Sequence, residues 1–252
     1  MDNQKVWGKY IYCIIGTNED RNFGPIGIGG REDIVSTICY QGLGMVISNT
    51  PMTKYVLSKE NLIAHTKVIE EVMKDYTVLP VRFCTIAANT EEIYNLLGKR
   101  HTEFKNWLRD MDNKVEMGFK AIWKDMNKIF VEIAEENKEI KRLKSQIVKK
   151  PPEKTHKDKI EVGKLVQSAL KVKKEDECEA IIVPLRRVAF DFKTNETTTD
   201  NMLLNASFLI DKGREKEFDN LVEDIDRKYA DRIKFIYVGP MPPYNFVNIT
   251  IH

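Results

Sequence analysis

The sequence has few cysteines and pairs none of them. Cys13, Cys39, Cys84 and Cys178 are scattered through 252 residues, with no CxxC spacing. Three sit inside apolar runs, where a buried thiol is the common finding. They read as structural thiols of a reducing cytosol, with a redox or metal role as the alternative. Histidine is also scarce. His65, His101, His156 and His252 form no HExxH and no paired ligand spacing, so no metal and no cofactor is expected. No stretch approaches the 18 or so consecutive apolar residues that a membrane helix needs. The N-terminal "MDNQKVWGKYIYCIIGTNED" has one basic residue before its first apolar run and no small-residue cleavage site, so it reads as a strand and not a signal peptide. A net charge of +2 does not suggest a nucleic-acid partner.

What is present is a globular composition, 42% hydrophobic and 31% charged, long enough for one large domain or two ordinary ones. "KYIYCII" at 9–15 reads as a strand, and 34–40 and 43–48 as two more around a "QG" turn. Residues 58–75 have helical periodicity, with Ser58 as N-cap and Leu62, Ile63, Val68, Ile69, Val72 and Met73 recurring at helical spacing. "YTVLPVRFCTIA" is extended but interrupted by Pro80, which confines it to an edge or a bend. Helices are expected near 90–98 and 101–110, with Gly98 as the C-cap between them.

In the second half, 113–123 alternates Val115, Met117, Phe119 and Ala121 on one face of a strand. Residues 125–148 predict a single helix of ~36 Å, with Asn137 in the middle of its apolar seam. Pro151 and Pro152 break it, and a second helix follows at 158–174 with Val162, Leu165, Val166, Ala169 and Leu170 turned inward. "AIIVPLRRVAFDF" and "NMLLNASFLI" read as a hairpin, 213–230 as an amphipathic helix, and "RIKFIYVGP" as a closing strand. Strand, helical hairpin, strand, strand, helix, strand is the order of a split βαβ, ferredoxin-like unit. The reading is therefore α+β with two domains, 1–112 and 113–252. The stretch Lys138–Lys174 carries 13 Lys/Arg against 4 Asp/Glu, and 175–252 carries 10 against 15. The basic run reads as a solvated helical face offset by the acidic segment.

Little points to catalysis. "GIGGRED" at 27–33 has no GK[ST] and reads as a turn needing positive φ, with a nucleotide loop as the weaker alternative. His65 on its helix reads as a packing histidine, since no nucleophile pairs with it in the sequence. Arg82 stands between Pro80 and Phe83 in an apolar run. It must find a carboxylate or carbonyls there, because an unpaired buried charge costs several kcal/mol. It is either an inter-element ion pair or an anchor for a partner. The tail at 239–252, "GPMPPYNFVNITIH", is stiff and aromatic, and it is either docked on the protein's own body or kept for a partner. Arg82, Pro242, Pro243, Tyr244 and Phe246 are the candidate partner-binding residues.

"GKYIYCII", "AHTKVIEEV", "VLPVRF", "KVEMGFKA", "NASFLI" and "GPMPPYNFV", in that order, resemble the GvpL/GvpF family of gas vesicle proteins over residues 8–247. Each motif is modest alone; six in order are specific. The resemblance implies a cytoplasmic, non-enzymatic accessory protein, a minor shell component or assembly factor of the gas vesicle. It implies binding to the hydrophobic shell protein GvpA and to other accessory proteins, and an N-terminal domain of modified ferredoxin-like fold. A ferredoxin-like ligand-binding or scaffold module is the alternative. Met241 stands where the family often has tryptophan. Cys84 stands where it often has glycine, which argues against a glycine-only backbone there.

Overall fold

In the N-terminal part of the chain, apolar residues fill both sides of the strands, which requires cover on both faces of the sheet. The computed structural model describes residues 6–53, 55–151 and 155–249. Its strands are β1 (Trp7–Ile15), β2 (Asn22–Gly24), β3 (Val35–Tyr40), β4 (Leu43–Pro51), β5 (Val78–Pro80) and β6 (Ile86–Ala87). They form a sheet in the order β2-β3-β4-β1-β5, with β6 also on β1. β1 runs antiparallel to β4, β5 and β6, and β3 runs antiparallel to β2 and β4. A bulge between Ile11 and Cys13 breaks the alternation of β1. Tyr10, Tyr12, Cys13 and Ile15 therefore face one core, while Ile11 and Ile14 face the other.

The β3–β4 turn is Gln41-Gly42 with φ of 46° and 82°, the paired left-handed geometry that suits a two-residue hairpin. Helix α1 (Lys59–Met73) covers the Tyr10 side through His65, Val68, Ile69 and Val72. Ser58 caps it by accepting from Asn61 N, as its position predicts. Helices α2 (Thr90–Lys99) and α3 (His101–Asp110) cover the Ile11 side with Ile93, Leu97, Phe104 and Leu108. Gly98 lies inside α2, not at its cap. Arg100 is the C-cap. A Cβ at residue 98 would sit 3.5 Å from Tyr40.

The remaining elements are β7 (Lys114–Trp123), α4 (Met126–Glu136), α5 (Lys138–Lys149), α6 (His156–Val188), β8 (Asp191–Thr194), β9 (Met202–Asp211), α7 (Glu215–Tyr229) and β10 (Ile233–Met241). The strands form a sheet in the order β10-β7-β9-β8. Two sequence expectations are corrected here. The single helix at 125–148 is two, because Asn137 adopts an extended backbone, ends α4, and caps α5 by accepting from Glu139 N and Ile140 N. "AIIVPLRRV" is not a strand. It is the end of the 33-residue α6, with Pro184 inside the helix. Ile181, Ile182, Leu185 and Val188 are buried at helical spacing, and that burial outweighs both β-branching and the lost N–H of proline. Pro152 lies outside the described residues.

The chain divides into two compact units. One comprises 1–117, 209–213 and 239–252, and the other 118–208 and 214–238. The first exit from unit 1 comes five residues after the expected boundary at 112, and the tail belongs with the N-terminal residues. Within unit 2, Arg232 pairs with Glu132 at 2.6 Å and Glu177 at 2.7 Å, and Lys173 reaches Glu132 and Glu136. The guanidinium of Arg232 and the Lys173 ammonium hold the Glu132 carboxyl down at about 2, against the desolvation of its half-buried site.

Candidate interaction surface

The tail turns back on unit 1. Gly239, within β10, has φ +139°, and a Cβ there would meet Met117 Sδ at 2.6 Å, so glycine is required near the end of that strand. Pro242 and Pro243 are buried, and the Pro243 carbonyl accepts from Phe246 N and Val247 N in a tight turn. Glu116 of β7 is 1% exposed, and its carboxylate accepts from Asn245 N at 2.8 Å and Asn245 Nδ2 at 2.5 Å. Phe246, Val247 and Ile249 then join the core beneath α2 and α3. Ile249 makes a parallel bridge to Val81. Tyr244 packs into the other core, beside Thr66 and Glu70 of α1. Burial raises the Tyr244 pKa. Thr66 stands close to its hydroxyl but does not complete a hydrogen bond, and no described residue does.

Arg82 is not in the core. It is exposed, and its Nη2 donates to Asn248 Oδ1 on the tail at 2.8 Å. The apolar run misleads because residues 81–85 form a bulging loop between β5 and β6. Val81 N donates to Tyr12 O on one side of the loop, and Ile11 N donates to Thr85 O on the other. Cys84 at its crest has φ 64°, the left-handed geometry that favours glycine. Two contacts hold it there: its N donates to Tyr10 Oη at 2.9 Å, and Tyr55 N donates to its Sγ at 3.3 Å.

His65 is the hinge-pin beneath this loop. Its Nε2 lies 3.2 Å from the Val81 carbonyl and therefore donates, leaving Nδ1 to accept from the Tyr10 hydroxyl at 3.0 Å. Tyr12 stacks on the ring and hydrogen-bonds Ser48 at 2.9 Å. Burial pushes His65 down to about 4 and Tyr12 up to about 12. The histidine packs, as its setting predicts, and holds α1 to the loop that receives the tail. "GIGGRED" closes as a turn, with Gly27 N donating to Asp33 O and positive φ at Gly29, Gly30 and Glu32. Among the described residues, no group of three His, Cys, Asp or Glu is placed to hold a metal ion.

Large apolar side chains are exposed just before and at the start of α1, including Leu62 and Ile63 of the helical apolar set. Val56 and Leu57 are 75% and 72% exposed, and Leu62 and Ile63 on the first helical turns are also exposed. Leu62 continues the stripe of His65, Ile69 and Val72 one turn towards the N-terminus, and Thr66 and Glu70 follow Leu62 at helical spacing. Tyr244 lies near Thr66 and Glu70 on the same helix. Large exposed apolar side chains are the usual material of protein-interaction surfaces.

With this geometry in view, comparison with known proteins gives one consistent result. The profile of the family described as "Gas vesicle synthesis protein GvpL/GvpF" matches residues 8–248, nearly the whole described chain, and the chain belongs to that family. Gas vesicle protein F of Nostoc sp. strain PCC 7120 is 27% identical over 225 residues, covering 88% of this chain and 91% of the relative. The fold is similar to the crystal structure of GvpF from Anabaena sp. PCC7120, with a TM-score of 0.85 at 25% identity, covering 97% of this chain and 99% of that one. It is also similar to GvpF from Microcystis aeruginosa, with a TM-score of 0.81 at 26% identity, covering 96% and 99%. All are mixed folds of helices on antiparallel sheets.

Two predictions test the clasp and the hinge-pin. Phe246→Ala empties a filled core site and is expected to cost about 3–5 kcal/mol in urea unfolding. Tyr244→Phe deletes a buried hydroxyl without a protein partner and is expected to stabilise by about 1–3 kcal/mol. For His65 the folded state resists protonation down to about 4, while the unfolded chain protonates near 6.5. Its contribution is complete above pH 6.5 and falls as the pH drops towards 4, by about 3 kcal/mol in all. The pH dependence of the unfolding free energy should lose that portion in His65→Gln.

Proposed function

We propose that this protein is a non-enzymatic gas vesicle accessory protein, an assembly factor or minor shell component, that binds the hydrophobic shell protein GvpA and limits its aggregation during nucleation. It works in the cytoplasm and at the gas vesicle, alongside other accessory proteins. The observation that carries the reading is the exposure of Val56, Leu57, Leu62 and Ile63, large apolar side chains just before and at the start of α1. Burying such side chains against an apolar partner contributes about 1.5–3 kcal/mol each. Of the candidate residues, Arg82 remains accessible and would border the contact, while Pro242, Pro243, Tyr244 and Phe246 act from inside by holding the tail. We also read both units as ferredoxin-like domains, the first modified. In unit 2 the order β10-β7-β9-β8, with helices in both crossovers, is that of two interleaved βαβ halves and supports this reading.

Co-expression tests the function. GvpA should stay soluble with the natural chain and precipitate with Leu57→Glu/Ile63→Glu, a variant whose melting temperature should be unchanged. Precipitation of GvpA in both cases would remove the basis of the proposal.

A further inference from the structure

Unit 2 leaves two kinds of apolar surface open. The seam of α6 through Val162, Leu165, Val166, Ala169 and Leu170 is half-buried, not turned fully inward as expected. Glu136, Lys173 and Asp176 stand beside Ala169, charges of both signs that select no single partner. The other surface is a strand edge, and its chemistry is more specific.

The sheet of unit 2 ends in β8 on one side and β10 on the other. β8 is closed against further pairing. It has four residues, and its register follows from Asn195 N, which donates to Asn205 O of β9. Phe192 N then points away from β9, and it donates to the Asp191 carboxylate at 2.8 Å. Devices of this kind keep an edge from pairing with another chain. β10 has none of them. It has nine residues, and Lys234 carries the one charge between Ile233 and Val238. Lys124 N donates to Arg232 O, so the even-numbered residues of β10 turn their main chain towards β7. Phe235 and Tyr237 turn theirs outward, and among the described residues no hydrogen bond reaches those N–H and C=O groups. On the face away from the Phe119–Phe235 ring pair, Ile236 and Val238 are 38% and 49% exposed.

We propose that this edge pairs with the same edge of a second copy, antiparallel about a two-fold axis at Ile236, so that the two sheets become one. Around that axis Phe235 and Tyr237 of one copy exchange main-chain hydrogen bonds with Tyr237 and Phe235 of the other. Ile236 faces its own copy, and Lys234 faces Val238, so no like charges meet. Ile236 and Val238 of both strands cover one another, and on the opposite face Phe235 gains Tyr237 as a cross-strand partner. The charge pattern names the occupant: an edge whose single cation avoids itself across the axis fits its own copy with no further group. Such a contact is isologous and closes, so assembly stops at the dimer.

Sedimentation equilibrium of the full chain from about 1 to about 100 µM, the range in which micromolar contacts are read, should show a reversible monomer–dimer equilibrium. Ile236→Lys sets two ammonium groups face to face across the axis. It should weaken dimerisation about tenfold, with the melting temperature of the dilute protein unchanged. Ile236→Cys should form a disulfide between copies under a mild oxidant, since facing residues of a non-hydrogen-bonded pair lie about 4.5 Å apart at Cα. Val238→Cys, which faces Lys234 and not itself, should not cross-link, and neither should the natural chain. Leu57→Glu/Ile63→Glu should dimerise as the natural chain does, because those residues lie in unit 1. The assignment is overturned if the chain stays monomeric throughout, if Ile236→Lys dimerises equally, or if Val238→Cys cross-links as readily as Ile236→Cys. Exchange protection of 233–238 that appears only when GvpA is added would give the edge to a strand of another protein and overturn it too.

Discussion

A carboxylate removed from water sets the arrangement of unit 1. Glu116 is buried, and the backbone and side-chain N–H groups of Asn245 both donate to it, from 129 residues further along the chain. Hydrogen bonds to a charged acceptor contribute about 1.5–3 kcal/mol each, and leaving such an acceptor unmet costs more than forming it gains. The tail therefore has one low-energy position. From there Phe246, Val247 and Ile249 close the core under α2 and α3, and Tyr244 closes the edge of the core under α1. Proline at 242 and 243 lowers the entropy lost when that path is fixed.

The clasp also shapes the surface. Ile249 bridges to Val81, whose carbonyl receives His65 from α1, so tail, loop and helix share one set of bonds. In the proposed reading, function follows from where apolar surface is exposed, and unit 1 exposes it at the start of α1.

Much of this was legible in the sequence where local chemistry decides. The Gln41-Gly42 turn, the Ser58 cap and the alternation of β7 all read correctly, because each rests on residues within a few positions of one another. The end of α6 did not. Ile181, Ile182 and Val183 followed by Pro184 carry strand propensity, and only burial of one helical stripe reverses it. Asn137 looked like a polar position in a seam and proved to be a cap, a distinction that one backbone angle makes. Arg82 and Cys84 misled because the loop between β5 and β6 lifts them out of the run they occupy. The stiff aromatic tail was visible as a candidate, but its receptor was not. Glu116–Asn245 and Tyr10–His65 are long-range pairs with no local signal. The exposed apolar residues of α1 had one signal, since the apolar positions 62, 63, 68, 69, 72 and 73 span more of α1 than a single buried face.

The central claim is that the exposed apolar residues at the start of α1 form the surface that meets the shell protein, on a body closed by the docked tail. Hydrogen–deuterium exchange of the purified chain, alone and in complex with GvpA, tests it directly. Residues 244–249 should be slow to exchange already in the free protein, and residues 56–67 should slow further on binding. Fast exchange in the free tail, or a complex in which 56–67 is unchanged and protection falls only elsewhere, would contradict the account.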